Sequence, residues 1–205
     1  MLKALSLEQF SEAVASTEAV PGGGSVSALA GALSAALAAM VARLTLNKKK
    51  FALVAPQMGR LERQGQVLQH RLLEAVDRDA QSYRKVLAAF GMPKTNDEER
   101  QARTLAVQDA FKEAADVPLE VAGLCRHIMD LADEAVRLGN PDMITDAGVA
   151  LVLARSAALG ALMNVNINLT SLKDPDVVAD MRAAVGRLKG EVLQKEERTL
   201  AALPF

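Results

Sequence analysis

Two aspartates stand two residues apart in the segment DRDAQSY, and helical spacing gives them different surroundings. An apolar stripe runs through Leu61, Leu68, Leu72, Val76, Tyr83, Val86 and Phe90 at steps that follow one helical face. Asp79 falls on that stripe, three residues after Val76 and four before Tyr83. Asp77 instead shares a line with His70 and Arg84, which predicts a solvated position. A carboxylate turned toward a core is costly unless it is hydrogen-bonded, paired or used. Asp79 is therefore either an acceptor for a neighbouring helix or a general acid–base, and periodicity leaves both open.

The turn Pro21-Gly22-Gly23-Gly24-Ser25 is a second candidate. Glycines admit positive φ and leave backbone N–H groups uncovered, and a following helix adds partial positive charge, so an anion or polar ligand can sit there. No Gly-Lys-Ser or Gly-Lys-Thr follows, which excludes a Walker loop. No strand precedes it, and position 27 is Ser, which excludes the dinucleotide fingerprint. A tight turn that lets the chain pass a neighbouring helix explains the glycines equally well.

Farther on, Asp146 and Asn164 are five helical turns apart and share a face, and Asn164 and Asn168 are neighbours at four residues. Arg155 and Asn166 lie on another line, where bonding between helices or subunits is the expected use. Metal and thiol chemistry are poorly served. His70 and His127 are the only histidines, neither has a ligand-type partner one turn away, and no metal site is expected. Cys125 and His127 point to different faces of a helix, so Cys125 is read as packing.

These side chains need helices to hold them. Ser6, with Gln9 three residues on, opens a first helix to about Ser16. Ser25 is the expected cap of a second, reaching about Thr45, and a third covers roughly Pro56 to Phe90. Thr95 is the expected cap of a fourth, from Asp97 to Leu138, interrupted at Pro118. A fifth follows the stop at Gly139–Asp142 and ends near Leu169, and Asp174 with Pro175 starts the last. No strand-like alternation occurs. The expected fold is all-α, a single-domain bundle of about six long helices over residues 1–205.

Composition agrees. Hydrophobic residues are 50% of the 205, charged residues 24% and aromatics only 3%, so the core must be built from Ala, Leu and Val in closely packed helices. A net charge of −1 supplies no basic field for nucleic acid. One cysteine excludes an internal disulfide, and the N-terminus lacks a continuous apolar stretch, so the cytoplasm is the expected compartment. The uncharged run from Val26 to Val41 is about sixteen residues, short of the ~20 a membrane span needs. Rich in Ala and Ser, it reads as a buried central helix.

In order and spacing, PGGGSVSALAGALSAALAAMVARLT, KKKF, DRDAQSY, PKTNDEE, DVPLEVA and GNPDMITDAGVALVLARSAALGALMNVNINL resemble the cyclodeaminase/cyclohydrolase family of folate enzymes. That family includes stand-alone methenyltetrahydrofolate cyclohydrolases and the C-terminal domain of formiminotransferase-cyclodeaminase. The resemblance implies an all-α homodimer with a folate cleft at or near the subunit interface. It places the catalytic aspartate at Asp79 and the ligand-lining turn at Pro21, Gly22, Gly23, Gly24 and Ser25. Asn140, Asp146, Asn164 and Asn168 match further pocket positions, and Lys48, Lys49 and Lys50 could meet the glutamate tail. No cofactor is implied beyond the tetrahydrofolate substrate. A chain of this length has no room for a formiminotransferase half, which favours the cyclohydrolase reaction. The alternatives are formiminotetrahydrofolate cyclodeaminase, releasing ammonia, and a non-catalytic helical dimer module.

Overall fold

The computed structural model describes residues 1–204, and among them there is no strand. Six α-helices follow one another: α1 (Leu7–Val14), α2 (Gly23–Leu46), α3 (Ala55–Phe90), α4 (Asp97–Leu138), α5 (Ile144–Leu169) and α6 (Pro175–Leu200). Five are long, whereas α1 has only 8 residues. Short 3-10 turns at Leu2–Ala4, Lys49–Val54 and Pro141–Met143 fill the connections.

The helix starts are chemically specified. Ser6 and Gln9 form a reciprocal capping box on α1, and Asp174 accepts the amides of Asp176 and Val177 ahead of Pro175 on α6. Two expected caps are displaced. Asn96, not Thr95, caps α4, because the Glu99 carboxylate reaches back to take both the amide and hydroxyl of Thr95. At α2 the cap is Gly22, and Ser25 lies within the first turn, where its side chain turns to α3.

α2 is the axis of the bundle, packed against α3, α4 and α5. Its small residues permit this. Ala28, Ala32, Ala35 and Ala39 are buried, and a Cβ on Gly31 would stand 2.7 Å from Cys125 Sγ. On α3, a Cβ on Gly65 would stand 2.9 Å from that of Ala39. α2, and the segment Pro141–Leu169 with α5, are by length and composition apolar enough to cross a membrane. In the bundle, 61% and 50% of their most apolar windows are buried against other helices. The helix therefore outruns the uncharged segment read from sequence, while its burial matches that reading.

α6 is held from outside by charge. Lys195 meets Asp130 at 2.9 Å, Thr199 donates to Asp133, and Arg155 pairs with Glu196 at 3.0 Å. Arg155 thus serves the interhelical role expected of it.

Pro118 does not interrupt α4, which runs unbroken for 42 residues. A proline lacks the N–H that would bond the carbonyl four residues earlier, here Ala114. The Asn168 side chain on α5 supplies the missing donor, its Nδ2 lying 2.7 Å from the Ala114 oxygen. The break anticipated from sequence is thus repaired by a side chain 54 residues on from that carbonyl.

Candidate active site

Asp79 stands where the buried stripe of α3 runs out. Leu61, Leu68, Leu72 and Val76 before it are buried, and Val86 after it is too, but Tyr83 and Phe90 are exposed. The expectation for Asp77 is overturned. It is buried, because the N-terminal turn lies over α3 and the Leu2 amide donates to its Oδ1. Sequence spacing along one helix cannot show a segment that folds back across it.

The Asp79 carboxylate faces the N-terminus of α2. Ser25 Oγ lies 2.8 Å from its Oδ2 and 3.1 Å from the Val76 carbonyl, tying the first turn of α2 to α3. The glycines make this approach possible. A Cβ on Gly24 would stand 2.0 Å from Asp79 Oδ1, and one on Gly23 would stand 3.3 Å from Asn164 Nδ2. Among the described residues no glycine has positive φ, so the turn uses its glycines for space, not for left-handed backbone. The close approach expected of a tight turn is what the structure shows, and it brings the Ser25 backbone N–H to the Asp79 carboxylate.

Around this junction lies a cavity of about 300 Å³, lined chiefly by Gly22, Gly23, Gly24, Asp79, Ser82, Tyr83, Asn164, Ile167 and Asn168. Burial pushes the Asp79 carboxyl above the ordinary carboxylate range, while hydrogen bonds from the Ser25 hydroxyl and amide pull it partly back. No neighbouring charge contributes to the shift. Both Asn168 Nδ2 hydrogens are committed, to the carbonyls of Ala114 and Asn164, which leaves its Oδ1 available to a ligand. Asn164 donates to the Gly160 carbonyl at 2.9 Å and keeps its oxygen and one hydrogen available. The cavity thus offers one proton-accepting oxygen pair, two amide oxygens and a helix N-terminus.

Six of the residues expected from sequence are gathered here: Gly22, Gly23, Gly24, Asp79, Asn164 and Asn168. Pro21 and Ser25 are buried behind them as support. Five are elsewhere. Lys48 pairs with Asp142 at 2.8 Å, and Lys49 and Lys50 are exposed beside it. Buried Asn140 donates its backbone N–H to the Thr45 hydroxyl oxygen. Asp146 shares a face with Asn164 but lies eighteen residues away along α5, about 27 Å at the helical rise. Sequence reasoning overlooked Tyr83 as a site residue, although its place one turn after Asp79 was the available signal. Ser82 and Ile167, three residues after Asp79 and Asn164, carried the same signal and were overlooked too. Cys125 is inert: burial pushes its thiol up to about 12. Among the described residues no three His, Cys, Asp or Glu side chains gather as metal ligands.

The site thus sets a half-buried carboxylate against a glycine-opened helix N-terminus, an arrangement that can exchange a proton with a polar ligand. Comparison places it more closely. Residues 6–187 match the formiminotransferase-cyclodeaminase family, and the chain belongs to that family. It is 37% identical to a methenyltetrahydrofolate cyclohydrolase of Methylorubrum extorquens, over 82% of this chain and 81% of that one. It is 34% identical to the formimidoyltransferase-cyclodeaminase of Rattus norvegicus over 97% of this chain, which corresponds to only 36% of that protein. The crystal structure of a formiminotetrahydrofolate cyclodeaminase from Thermotoga maritima superposes with a TM-score of 0.89, covering 99% of this chain and 98% of that one at 28% identity.

Proposed function

We propose that this chain is a methenyltetrahydrofolate cyclohydrolase, opening 5,10-methenyltetrahydrofolate with water to give 10-formyltetrahydrofolate, with Asp79 as the general acid–base. The observation that carries this reading is the carboxylate itself, half-buried, free of any cationic partner and open to the cavity. The similarity to the Methylorubrum enzyme, which spans four-fifths of both chains, supports it.

The bridge carbon of the substrate is cationic and bonded to two nitrogens. Ionised Asp79 favours that cation and takes a proton from the water as its oxygen bonds to the carbon. The carboxylic acid so formed gives this proton to N5 as the carbon–N5 bond breaks. The remaining hydroxyl proton leaves to solvent, and the formyl group stays on N10. General acid–base assistance of this kind contributes about 10²–10⁴-fold. The reaction uses no cofactor beyond the tetrahydrofolate substrate. In this reading the Asn164 and Asn168 oxygens and the α2 amides orient the pterin.

The likeness to the Thermotoga cyclodeaminase supports a second reading, in which N10 attacks a 5-formimino carbon and Asp79 delivers the proton that accompanies departing ammonia. Loss of methenyltetrahydrofolate absorbance above the uncatalysed rate tests the first reading. Ammonia release from 5-formiminotetrahydrofolate tests the second.

The acting unit in this proposal is a homodimer, cytoplasmic and independent of membrane or nucleic acid. On α2, Val26, Leu33, Met40 and Leu44 are exposed at helical spacing, as are Val149, Val152, Met163 and Ile167 on α5. The two helices are neighbours, so these residues form one apolar face of the kind that marks an interface.

A further inference from the structure

A second cavity, of about 360 Å³, lies directly beyond the first. On α4 its wall includes Phe111, one turn from Ala114, which lines the Asp79 cavity. At the end of α5 it includes Ser171, whose amide bonds the Asn168 carbonyl. On α3 it includes Phe90, two turns past Tyr83. The two spaces are therefore about 5 Å apart along α4 and about 10 Å apart along α3.

The chemistry of this second space differs from the first. Phe90 and Phe111 meet edge to face, centroids 5.9 Å apart at 77°, and the Arg103 guanidinium lies 5.5 Å from the centre of the Phe90 ring. Arg103 is held by the Phe90 carbonyl through Nε and Nη2, which leaves Nη1 unused. Lys173 enters from the loop after α5, and Gln108 fixes that loop by accepting from the Lys173 amide and donating to the Ser171 carbonyl. No Asp or Glu lines the cavity, and among the described residues neither cation has a carboxylate partner.

We infer that this cavity seats the aminobenzoyl-glutamate half of the folate, its ring against Phe90 and Phe111 and its carboxylates on Arg103 and Lys173. The inference rests on the folate reading above and gives that reading a direction. N10 joins the bridge carbon directly to the aminobenzoyl ring, so a bridge carbon at Asp79 sends the ring to an adjoining space. The glutamate then follows, and it needs cations that are not already neutralised. Lys48, the sequence-based candidate, is spent on Asp142 and stands at the opposite end of α2, about 36 Å along the helix from Gly24. Two volumes of 300 and 360 Å³ are each at the lower end of the range for small-molecule sites, as expected for a ligand divided between them.

The test uses the whole protein and two probes. One is 5,10-methenyltetrahydrofolate, as mono- and triglutamate, read by steady-state kinetics. The other is p-aminobenzoyl-glutamate, which lacks the reacting carbon, read by calorimetry. Lys173→Glu is the first variant, since Lys173 is exposed on a loop, and Arg103→Gln the second, with thermal melts to verify folding. For Lys173→Glu, KM should rise about tenfold or more with kcat within about twofold, the size of one lost charge-assisted hydrogen bond. Fragment binding should weaken in parallel. Unchanged KM and unchanged fragment affinity in both folded variants overturn the inference, even where the enzyme turns over. Fragment binding that depends on Lys173 in a protein that does not hydrolyse the methenyl compound upholds this site and rejects the reaction instead.

Discussion

Ser25 and Asp79 form a unit in which one hydroxyl has two acceptors, and this sets the pH behaviour of the site. When Asp79 is ionised the hydroxyl proton serves the carboxylate, and when Asp79 is protonated it can turn to the Val76 carbonyl. Ser25 lowers the Asp79 pKa against the upward push of burial. Ser25→Ala removes that restraint, so the carboxyl titrates at a still higher pH, and the acid limb of the kcat/KM profile moves toward neutrality. A limb that stays in place in the folded variant rejects Asp79 as the ionised base. The same shift bears on stability. Asp79 binds its proton more tightly folded than unfolded, so stability falls as pH rises from the ordinary aspartate range through the raised native value. Asp79→Asn escapes that loss. It should melt above the wild type at pH 7, with the gap closing below the ordinary aspartate value, as scanning calorimetry across pH would show. The importance of Asp79 was legible from its place on the apolar stripe. Ser25 was legible as a cap and as part of the glycine turn, but not as the donor to Asp79, because its partners lie more than fifty residues away on α3.

At the scale of elements, α4 and α5 are coupled by an exchange of one hydrogen bond. Pro118 deprives the Ala114 carbonyl of a donor, and Asn168 restores it while keeping its own oxygen at the cavity. Asn168→Ala leaves that carbonyl orphaned and should cost about 1–3 kcal/mol. In a Pro118→Ala background the backbone N–H returns, and the same substitution should cost less by about 1 kcal/mol. Equal costs in the two backgrounds, measured by denaturant unfolding, would contradict the exchange. Sequence spacing placed α3, α5 and α6 well, since their breakers and caps are local signals. It expected a break at Pro118 because the repair comes from another helix. It placed Asp77 in solvent because the covering segment, Leu2–Ala4, is distant in sequence.

For the whole molecule, the bundle leaves one apolar face uncovered, along α2 and α5, beside the site. Leu33→Asp with Met163→Asp puts charge at the centre and at one end of it. Sedimentation should then report a monomer where the wild type is a dimer, with melting little changed beyond the loss of association. A wild-type monomer would reject the proposed pairing. All-α architecture was readable from composition and periodicity alone. The split of the expected site into an Asp79 end and a Lys48 end was not, because residues on one helical face can still be tens of ångströms apart along it. The central claim is that Asp79 moves the proton in the opening of the methenyl bridge. The most direct measurement compares wild type and Asp79→Asn turning over 5,10-methenyltetrahydrofolate, followed by the loss of its absorbance, with substrate binding measured alongside. The account predicts binding retained and turnover reduced by about 10²–10⁴-fold. Turnover near the wild-type rate in the folded variant would contradict it.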